Sequence, residues 1–246
     1  MRVLDLFSGI GGFSLGLHRA SEKFQTVAFC EFDKKCQLVL KKHWPDVPIY
    51  DDVRKLNGRQ FEGQSIELIC AGFPCQDISN LNNISKNAKG IDGKQSGLYR
   101  EILRIAGEVG PKYIVMENVE SLIQRGLRRI LGELSEIGFD AEWHVISAAA
   151  VGGEHKRNRV WIIAYNQSLG IQRVWPEGFK LSHAMGKKEL SVRGSDGEWK
   201  IMPDVRGKIH GVSGRVDRLK QLGNAVVPQV VEQIGRAIME VERGIQ

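Results

Sequence analysis

The amino-acid sequence predicts an α/β fold, in which a mostly parallel sheet carries helices on both faces. Two observations predict it. Strand-like and helix-like segments alternate over residues 1–165, and three of the most apolar segments end in a polar side chain. A chain of 246 residues has room for one substantial core and one small additional region, because single domains commonly contain roughly 100–200 residues.

Strands are predicted at four short apolar segments, because a strand buried on both faces is apolar throughout. They are residues 3–6, 26–30, 66–71 and 113–116. Helices follow the first two strands, one through Leu15, Leu17 and Ala20 and one through Leu38, Val39 and Leu40.

The second half of this region continues the alternation. Residues 124–137 repeat apolar side chains at the spacing of one helix face, which predicts an amphipathic helix. Residues 143–151 and 159–165 are predicted to pair as strands. A last amphipathic helix is predicted from Pro228 onward, since proline is favoured in the first turn of a helix.

Residues 166–215 interrupt the pattern with Gly, Ser, Pro and charged residues that show little periodicity. They contain nine Lys or Arg against five Asp or Glu, in a chain whose formal charge is +6. The sequence therefore predicts a main domain over residues 1–165, a small basic region over 166–214 and a segment over 215–246 that returns to the main domain. A basic region suits a polyanionic partner.

The four cysteines are irregularly spaced and form no C-x-x-C pair, so neither a metal site nor a disulfide framework is expected. The apolar runs are far shorter than the roughly 20 residues of a membrane helix. Residues 1–5 lack the apolar core of a signal peptide. We therefore expect a cytoplasmic protein that is not inserted in a membrane.

The first candidate site follows the first strand, where residues 5–13 read DLFSGIGGF. Glycines let backbone N–H groups approach a ligand, and a helix that begins there favours a negative group. Glu31, at the end of the next strand, could accept hydrogen bonds from ribose hydroxyls, and Phe32 could stack on an adenine. A nucleoside is favoured over a nucleotide, because no P-loop lysine follows. A glycine turn that only connects two elements is the alternative.

Three further candidates follow later strands. Cys75 stands after a rigid Gly-Phe-Pro turn, where a thiol would be partly exposed, although most unpaired cysteines are small core residues. Glu117 follows four apolar residues, so a nonpolar crevice could raise its pKa, with a solvated strand end as the alternative. Arg157 and Arg159 would share one face of a strand, either in a site or as an exposed basic strand.

In their order along the chain, five segments resemble the motifs of DNA cytosine-5 methyltransferases of the bacterial and phage type. They are residues 5–12, 72–76, 117–119, 157–159 and 218–228. The resemblance covers nearly the whole chain except about residues 166–214. It implies a Rossmann-like sheet dependent on S-adenosylmethionine, a small target-recognition insertion and no metal.

The resemblance also implies roles for the candidate residues. Cys75 would add to carbon 6 of a cytosine flipped out of duplex DNA, Glu117 would contact ring nitrogen 3, and Arg159 would hold the carbonyl at position 2. Arg157 would support the same pocket. The implied cofactor contacts are Phe7, Gly9, Ile10, Gly11, Gly12, Glu31, Phe32, Asp52, Val53, Pro74, Leu98, Asn224, Ala225 and Val226.

Double-stranded DNA is the implied partner, bound by a monomer. The candidate contacts are Gln76, Arg173, Lys180, Arg193, Lys200, Arg206 and Lys208. One alternative is an RNA cytosine-5 methyltransferase on the same scaffold, although the Cys-Phe-Thr element of that branch is absent from the sequence. The other is a non-catalytic DNA-binding relative, which the intact candidate residues argue against. Neither the recognition sequence nor a restriction partner follows from the sequence.

Overall fold

The computed structural model describes residues 1–74, 96–153, 157–171, 173–174 and 225–244. In these residues, seven strands form one sheet: β1 (Arg2–Leu6), β2 (Gln25–Cys30), β3 (Ile49–Tyr50), β4 (Leu68–Gly72), β5 (Tyr113–Val119), β6 (Phe139–Ser147) and β7 (Asn158–Asn166). The strands lie in the order β3-β2-β1-β4-β5-β7-β6. Those from β3 to β5 are parallel, and β7 is antiparallel to both of its neighbours. The prediction of a mostly parallel sheet is confirmed.

Helices cover both faces of this sheet. Within the described residues they are α1 (Gly12–Ala20), α2 (Lys34–His43), α3 (Tyr99–Val109), α4 (Leu122–Arg125), α5 (Leu127–Glu136) and α6 (Pro228–Glu242). On one face, Phe13 of α1 and Ile234 of α6 join Trp161 of β7 in an apolar cluster. On the other face, Ile105 of α3 and Leu134 of α5 belong to a second cluster. The core therefore consists of two layers, one on each face of the strands.

The C-terminal helix α6 begins at Pro228, as predicted, and lies close against α1. A Cβ at Gly16 would lie 2.5 Å from the carbonyl oxygen of Pro228, and a Cβ at Gly235 would lie 2.8 Å from Cβ of Ala20. Because only glycine permits such an approach, the two helices touch almost backbone to backbone. The end of the chain is thereby held beside the helix that follows the glycine turn.

Two predicted boundaries near the middle of the chain were wrong. The predicted helix over 124–137 is divided into α4 and α5, because Gly126 between them has a φ of 172°, which is outside the helical range. The strand predicted over 143–151 ends at Ser147, because the next four residues form a 3-10 turn. The hydroxyl of Ser147 accepts a hydrogen bond from the N–H of Ala150 and so caps that turn.

The strand predicted over 113–116 extends to Val119, because β5 pairs with β7 along its whole length. Glu117 therefore lies within a strand and not after it. The short strand β3 and the helix α3 were not predicted. No helix in the described part of the chain is long and apolar enough to span a membrane.

Candidate active site

Most of the predicted site residues that the structure describes stand at one edge of the sheet. There the glycine turn follows β1, Glu31 follows β2, and Phe73 and Pro74 follow β4. Glu117 of β5 lies opposite Gly72 of β4 in the sheet register. Ligands of open α/β sheets bind beyond the carboxyl ends of the strands, so this edge is the candidate active site.

The glycine turn combines a tight position with an open one. Phe7, Gly9 and Gly11 have φ values of 52°, 55° and 87°, in the left-handed region. A Cβ at Gly11 would lie 2.6 Å from the ring of Trp44, whereas a Cβ at Gly9 would meet no atom within 4 Å. The turn is therefore fixed at Gly11 and accessible to a ligand at Gly9. Ile10 between them is half-buried.

The Glu31 carboxylate fastens this turn to the end of β2. Its Oε2 accepts a hydrogen bond from the N–H of Gly9 at 2.7 Å, and its Oε1 accepts one from the N–H of Asp33 at 2.7 Å. Burial raises the pKa of Glu31, and these backbone hydrogen bonds oppose the rise. Each carboxylate oxygen keeps a lone pair, so Glu31 can still accept hydrogen bonds from a ligand.

The residues next to Glu31 offer a surface for an aromatic base. The Phe32 side chain is 74% exposed, and an exposed ring beside an open backbone suits stacking. The Asp52 carboxylate accepts two hydrogen bonds from the Arg54 side chain, at 2.9 and 2.8 Å, and they hold the pKa of Asp52 below its ordinary value. Val53 is buried in the core. A stacking ring, a carboxylate and an accessible backbone together fit an adenosine-type cofactor.

A buried hydrogen-bond network below the turn was not predicted from the sequence. Asp5 is fully buried, and its Oδ2 accepts a hydrogen bond from Oγ of Ser14 at 2.7 Å. That Oγ accepts in turn from Oγ1 of Thr26 at 2.8 Å, and Oγ of Ser8 donates to the Asp5 carbonyl oxygen at 2.6 Å. Burial raises the pKa of Asp5 to about 7, although the hydrogen bond from Ser14 lowers it. The network joins β1, α1 and β2.

Glu117 is the centre of the second half of the site. It is 8% exposed, and Nε of Arg159 lies 2.9 Å from its Oε1. Burial raises the pKa of Glu117, and the positive charges of Arg159 and Arg157 oppose the rise. Burial favours the neutral carboxyl while the arginines favour the carboxylate, so this group can exchange a proton with a ligand.

Asn118 connects β5 to the residues that precede Cys75, and it too was missed by sequence reasoning. It is 2% exposed, and its Nδ2 donates to the carbonyl oxygen of Phe73 at 3.0 Å. The sequence signal was its position directly after Glu117. Pro74 is half-buried, and Cys75 and Gln76 lie outside the described residues.

The C-terminal segment before α6 lies between the two halves of the site. Nη2 of Arg157 donates to the carbonyl oxygen of Ala225 at 2.9 Å. A Cβ at Gly12 would lie 2.8 Å from the carbonyl oxygen of Val226. Asn224 is outside the described residues, and Leu98 is half-buried against the core of the other sheet face.

Arg173 is described and exposed. The remaining predicted DNA contacts lie outside the described residues: Gln76, Lys180, Arg193, Lys200, Arg206 and Lys208. Where the chain is described, no group of three or more His, Cys, Asp or Glu side chains is arranged to hold a metal ion.

Comparison with known proteins adds independent findings. The sequence model of the family described as C-5 cytosine-specific DNA methylase matches residues 1–205. The chain is 34% identical over 172 residues to the type II methyltransferase M2.BsuMI of Bacillus subtilis, an alignment that covers 67% of this chain and 42% of that protein. The chain spans about half the length of the curated relatives it matches.

Two solved structures share the fold. An E. coli prophage protein described as a DNA modification methyltransferase is 27% identical, with a TM-score of 0.58 over 70% of this chain and 49% of that one. A DNMT2 variant of Spodoptera frugiperda is 19% identical, with a TM-score of 0.59 over 72% of this chain and 53% of that one. Because the DNMT2 variant is only 19% identical, its likeness to this chain concerns the fold alone.

Proposed function

The chain belongs to the family of C-5 cytosine-specific DNA methylases, and from this premise we propose that it transfers a methyl group from S-adenosylmethionine to carbon 5 of a cytosine in duplex DNA. The proposal rests on one observation. Two halves of a site lie at the same edge of the sheet. The first is the open glycine turn fastened by Glu31. The second is the buried pair of Glu117 and Arg159, beside the strand that leads to Cys75.

The first half suits S-adenosylmethionine. Phe32 offers a ring to the adenine, Glu31 offers acceptors to the ribose, and the backbone at Gly9 is open to the amino-acid end. When bound, the cofactor supplies a methyl group on a positively charged sulfur. We propose further contacts to the cofactor. They are Asp52 and Val53 at the adenine edge, Pro74 and Leu98 near the sulfur or the base, and Asn224, Ala225 and Val226 at the carboxylate end.

The second half suits activation of the base, since aromatic cytosine alone is a poor nucleophile. The Cys75 thiolate forms a bond to carbon 6, and the displaced electron pair makes carbon 5 nucleophilic. Glu117 donates its proton to ring nitrogen 3, and Arg159 donates a hydrogen bond to the carbonyl oxygen at position 2. The methyl group would pass to carbon 5 with S-adenosylhomocysteine as the leaving group, and carbon 5 then loses its proton to water. The double bond re-forms as the thiolate leaves and nitrogen 3 returns its proton to Glu117.

Access to the base requires its extrusion from the duplex. Carbon 5 lies within the base stack, and rotating a nucleotide out of it costs a few kcal/mol. The basic region over 166–214, with Arg173 at its described end, is the proposed reader of phosphates and groove edges. Gln76, beside the nucleophile, is a further proposed contact to DNA. A monomer suffices, because one strand reacts at a time.

Transfer of a radiolabelled methyl group tests the proposal. We expect the wild-type chain to label bacterial genomic DNA, and acid hydrolysis of that DNA to release labelled 5-methylcytosine. Cys75→Ser should abolish the label, because the hydroxyl is far less nucleophilic than a thiolate. Cys36→Ser is the matched control, since it makes the same change at a buried cysteine of α2.

Three results would contradict parts of the proposal. Label in tRNA but not in duplex DNA would assign an RNA substrate. Binding of DNA without transfer to either nucleic acid would indicate a non-catalytic relative. Unchanged transfer by Cys75→Ser would remove the assigned nucleophile.

A further inference from the structure

The short segment over 225–228 touches both halves of the candidate site. At Gly12, the first residue of α1, a Cβ would lie 2.8 Å from the carbonyl oxygen of Val226. At Gly72, the last residue of β4, a Cβ would lie 3.2 Å from Cγ2 of Val226 and 3.7 Å from Oε2 of Glu117. Val226 is thus seated between two glycines whose missing side chains leave room for it.

Arg157 ties this segment to the base side of the site. Its Nη2 donates to the carbonyl oxygen of Ala225 at 2.9 Å, across 68 positions of the chain. Its positive charge also opposes the effect of burial on the pKa of Glu117. One guanidinium therefore acts on Glu117 through its charge and on the C-terminal segment through a hydrogen bond.

The packing of Val226 between Gly12 and Gly72 leaves the segment over 225–228 little freedom to move. Because a Cβ at Gly12 would lie only 2.8 Å from the carbonyl oxygen of Val226, the backbones of α1 and of the segment approach each other closely, with no side chain between them. Closely packed elements shift together more readily than they deform. A displacement of Ala225 must therefore press Val226 against Gly12 or draw it away from Gly72.

We propose that Arg157 is a positioning residue for the cofactor pocket: by holding Ala225 it keeps Val226 seated between Gly12 and Gly72, and so holds the glycine turn and the cytosine pocket in one arrangement. This inference rests on the proposed function, which assigns the turn to the cofactor. It adds a second role to the support that Arg157 gives to the base pocket.

The affinity for S-adenosylhomocysteine, measured by calorimetry without DNA, tests this role. Arg157→Met removes the hydrogen bond to Ala225 and should raise the Kd about tenfold, as expected for a lost charge-assisted hydrogen bond. Val226→Ala removes the seated side chain without a change of charge and should raise the Kd about threefold. Val241→Ala is the matched control at the far end of α6, and its Kd should equal that of the wild type.

The double variant separates positioning from an effect of charge on the cofactor. If both residues act through the same packing of Val226 against Gly12 and Gly72, the variant that combines Arg157→Met and Val226→Ala has a Kd close to that of Arg157→Met alone. Independent effects would multiply to about thirtyfold and would overturn the proposal, as would an unchanged Kd in Arg157→Met. Thermal melting checks that each variant is folded. If Arg157→Met is not, Arg157→Gln replaces it in the same comparison with Val226→Ala, and an unchanged Kd in Arg157→Gln overturns the proposal.

The same measurements distinguish failure of this inference from failure of the proposed function. If the wild-type chain methylates DNA and neither Arg157→Met nor Val226→Ala changes the Kd, only the positioning role is refuted. A chain that shows the expected Kd changes but methylates no nucleic acid refutes only the proposed function. A wild-type chain that binds no S-adenosylhomocysteine refutes both.

Discussion

The two halves of the candidate site are assembled in different ways. In the cofactor half, the hydrogen bond from Gly9 to Glu31 joins residues 22 positions apart, within the consecutive elements β1, α1 and β2. In the base half, the bond from Arg157 to Ala225 spans 68 positions. Glu117 and Arg159 meet only because β5 and β7 pair. The first half is local in sequence, and the second depends on distant chain segments.

This difference separates binding from chemistry. The cofactor half presents backbone and an exposed ring, which under the proposed function recognise a ligand without reacting with it. The base half buries the ionisable Glu117 beside Arg159 and within the electrostatic influence of Arg157, an arrangement that suits proton exchange. We therefore expect substitutions in the cofactor half to alter ligand affinity and stability, and substitution of Glu117 in the base half to alter the rate of methyl transfer. Arg157 is the expected exception, because it also holds Ala225.

The largest expected effect is that of Glu117→Gln. The amide keeps the size of the side chain but cannot supply a proton to the base, so kcat should fall about 10²- to 10⁴-fold. The Kd of S-adenosylhomocysteine should change by less than about twofold, since the glycine turn is untouched. Single-turnover label transfer and calorimetry measure the two quantities.

Glu120→Gln provides the matched control for this change. Glu120 accepts a hydrogen bond from Asn158 at 3.0 Å near the same strand end but is exposed, so its kcat should equal that of the wild type. A parallel loss of cofactor affinity in Glu117→Gln would show that the two halves do not divide binding from chemistry.

The same contrast explains how much of the fold could be predicted. The sequence β1, α1, β2 and α2 follows from local apolar patterns, and the structure confirms it. The break at Gly126 and the extension of β5 to Val119 were missed, because a single non-helical glycine and strand pairing across the sheet leave no periodic pattern. Boundaries set by tertiary contacts are not encoded in neighbouring residues.

The same contrast between local and distant contacts explains how much of the candidate site could be predicted. The position of Glu31 beside the glycine turn could be predicted because the two follow neighbouring strands. Asn118 was missed because its partner, the carbonyl of Phe73, is 45 positions away. Cys75 stays a prediction that rests on its turn and on the family resemblance.

A smaller effect is expected when the glycine turn itself is changed. Gly11→Ala combines a left-handed φ of 87° with an overlap against Trp44, and should lower the free energy of unfolding by about 3 kcal/mol. Gly9→Ala has a similar φ of 55° but open space, and should cost only about 1 kcal/mol. Urea denaturation measures both.

Calorimetry with S-adenosylhomocysteine then tests why Gly9 is open. A methyl group there would occupy the space that a ligand needs. Gly9→Ala should therefore raise the Kd of S-adenosylhomocysteine, although it lowers the free energy of unfolding only slightly. Equal stability losses in the two variants would contradict the distinction between a fixed and an open position. Unchanged binding by Gly9→Ala would remove the backbone at Gly9 from the cofactor site.

A pH-dependent effect is expected at Asp5, which belongs to the local half but also lies opposite Cys70 of β4 in the sheet. Burial raises the pKa of Asp5 to about 7 in the folded protein, well above its value in an unfolded chain. Between these two values, the folded state holds a proton that the unfolded state has released. The free energy of unfolding therefore falls as the pH rises through this window, and the loss is complete above the folded pKa.

Asp5→Asn cannot titrate, so its free energy of unfolding should fall less between about pH 5 and about pH 8 than that of the wild type, by on the order of 2 kcal/mol. Urea denaturation across this range measures the slope, and Asp46→Asn, which changes an exposed carboxylate, should run parallel to the wild type. Parallel curves for Asp5→Asn would mean that Asp5 stays ionised when buried. A flatter curve would show that the buried Asp5 carboxyl keeps its proton in the folded state near neutral pH, because burial raises its pKa.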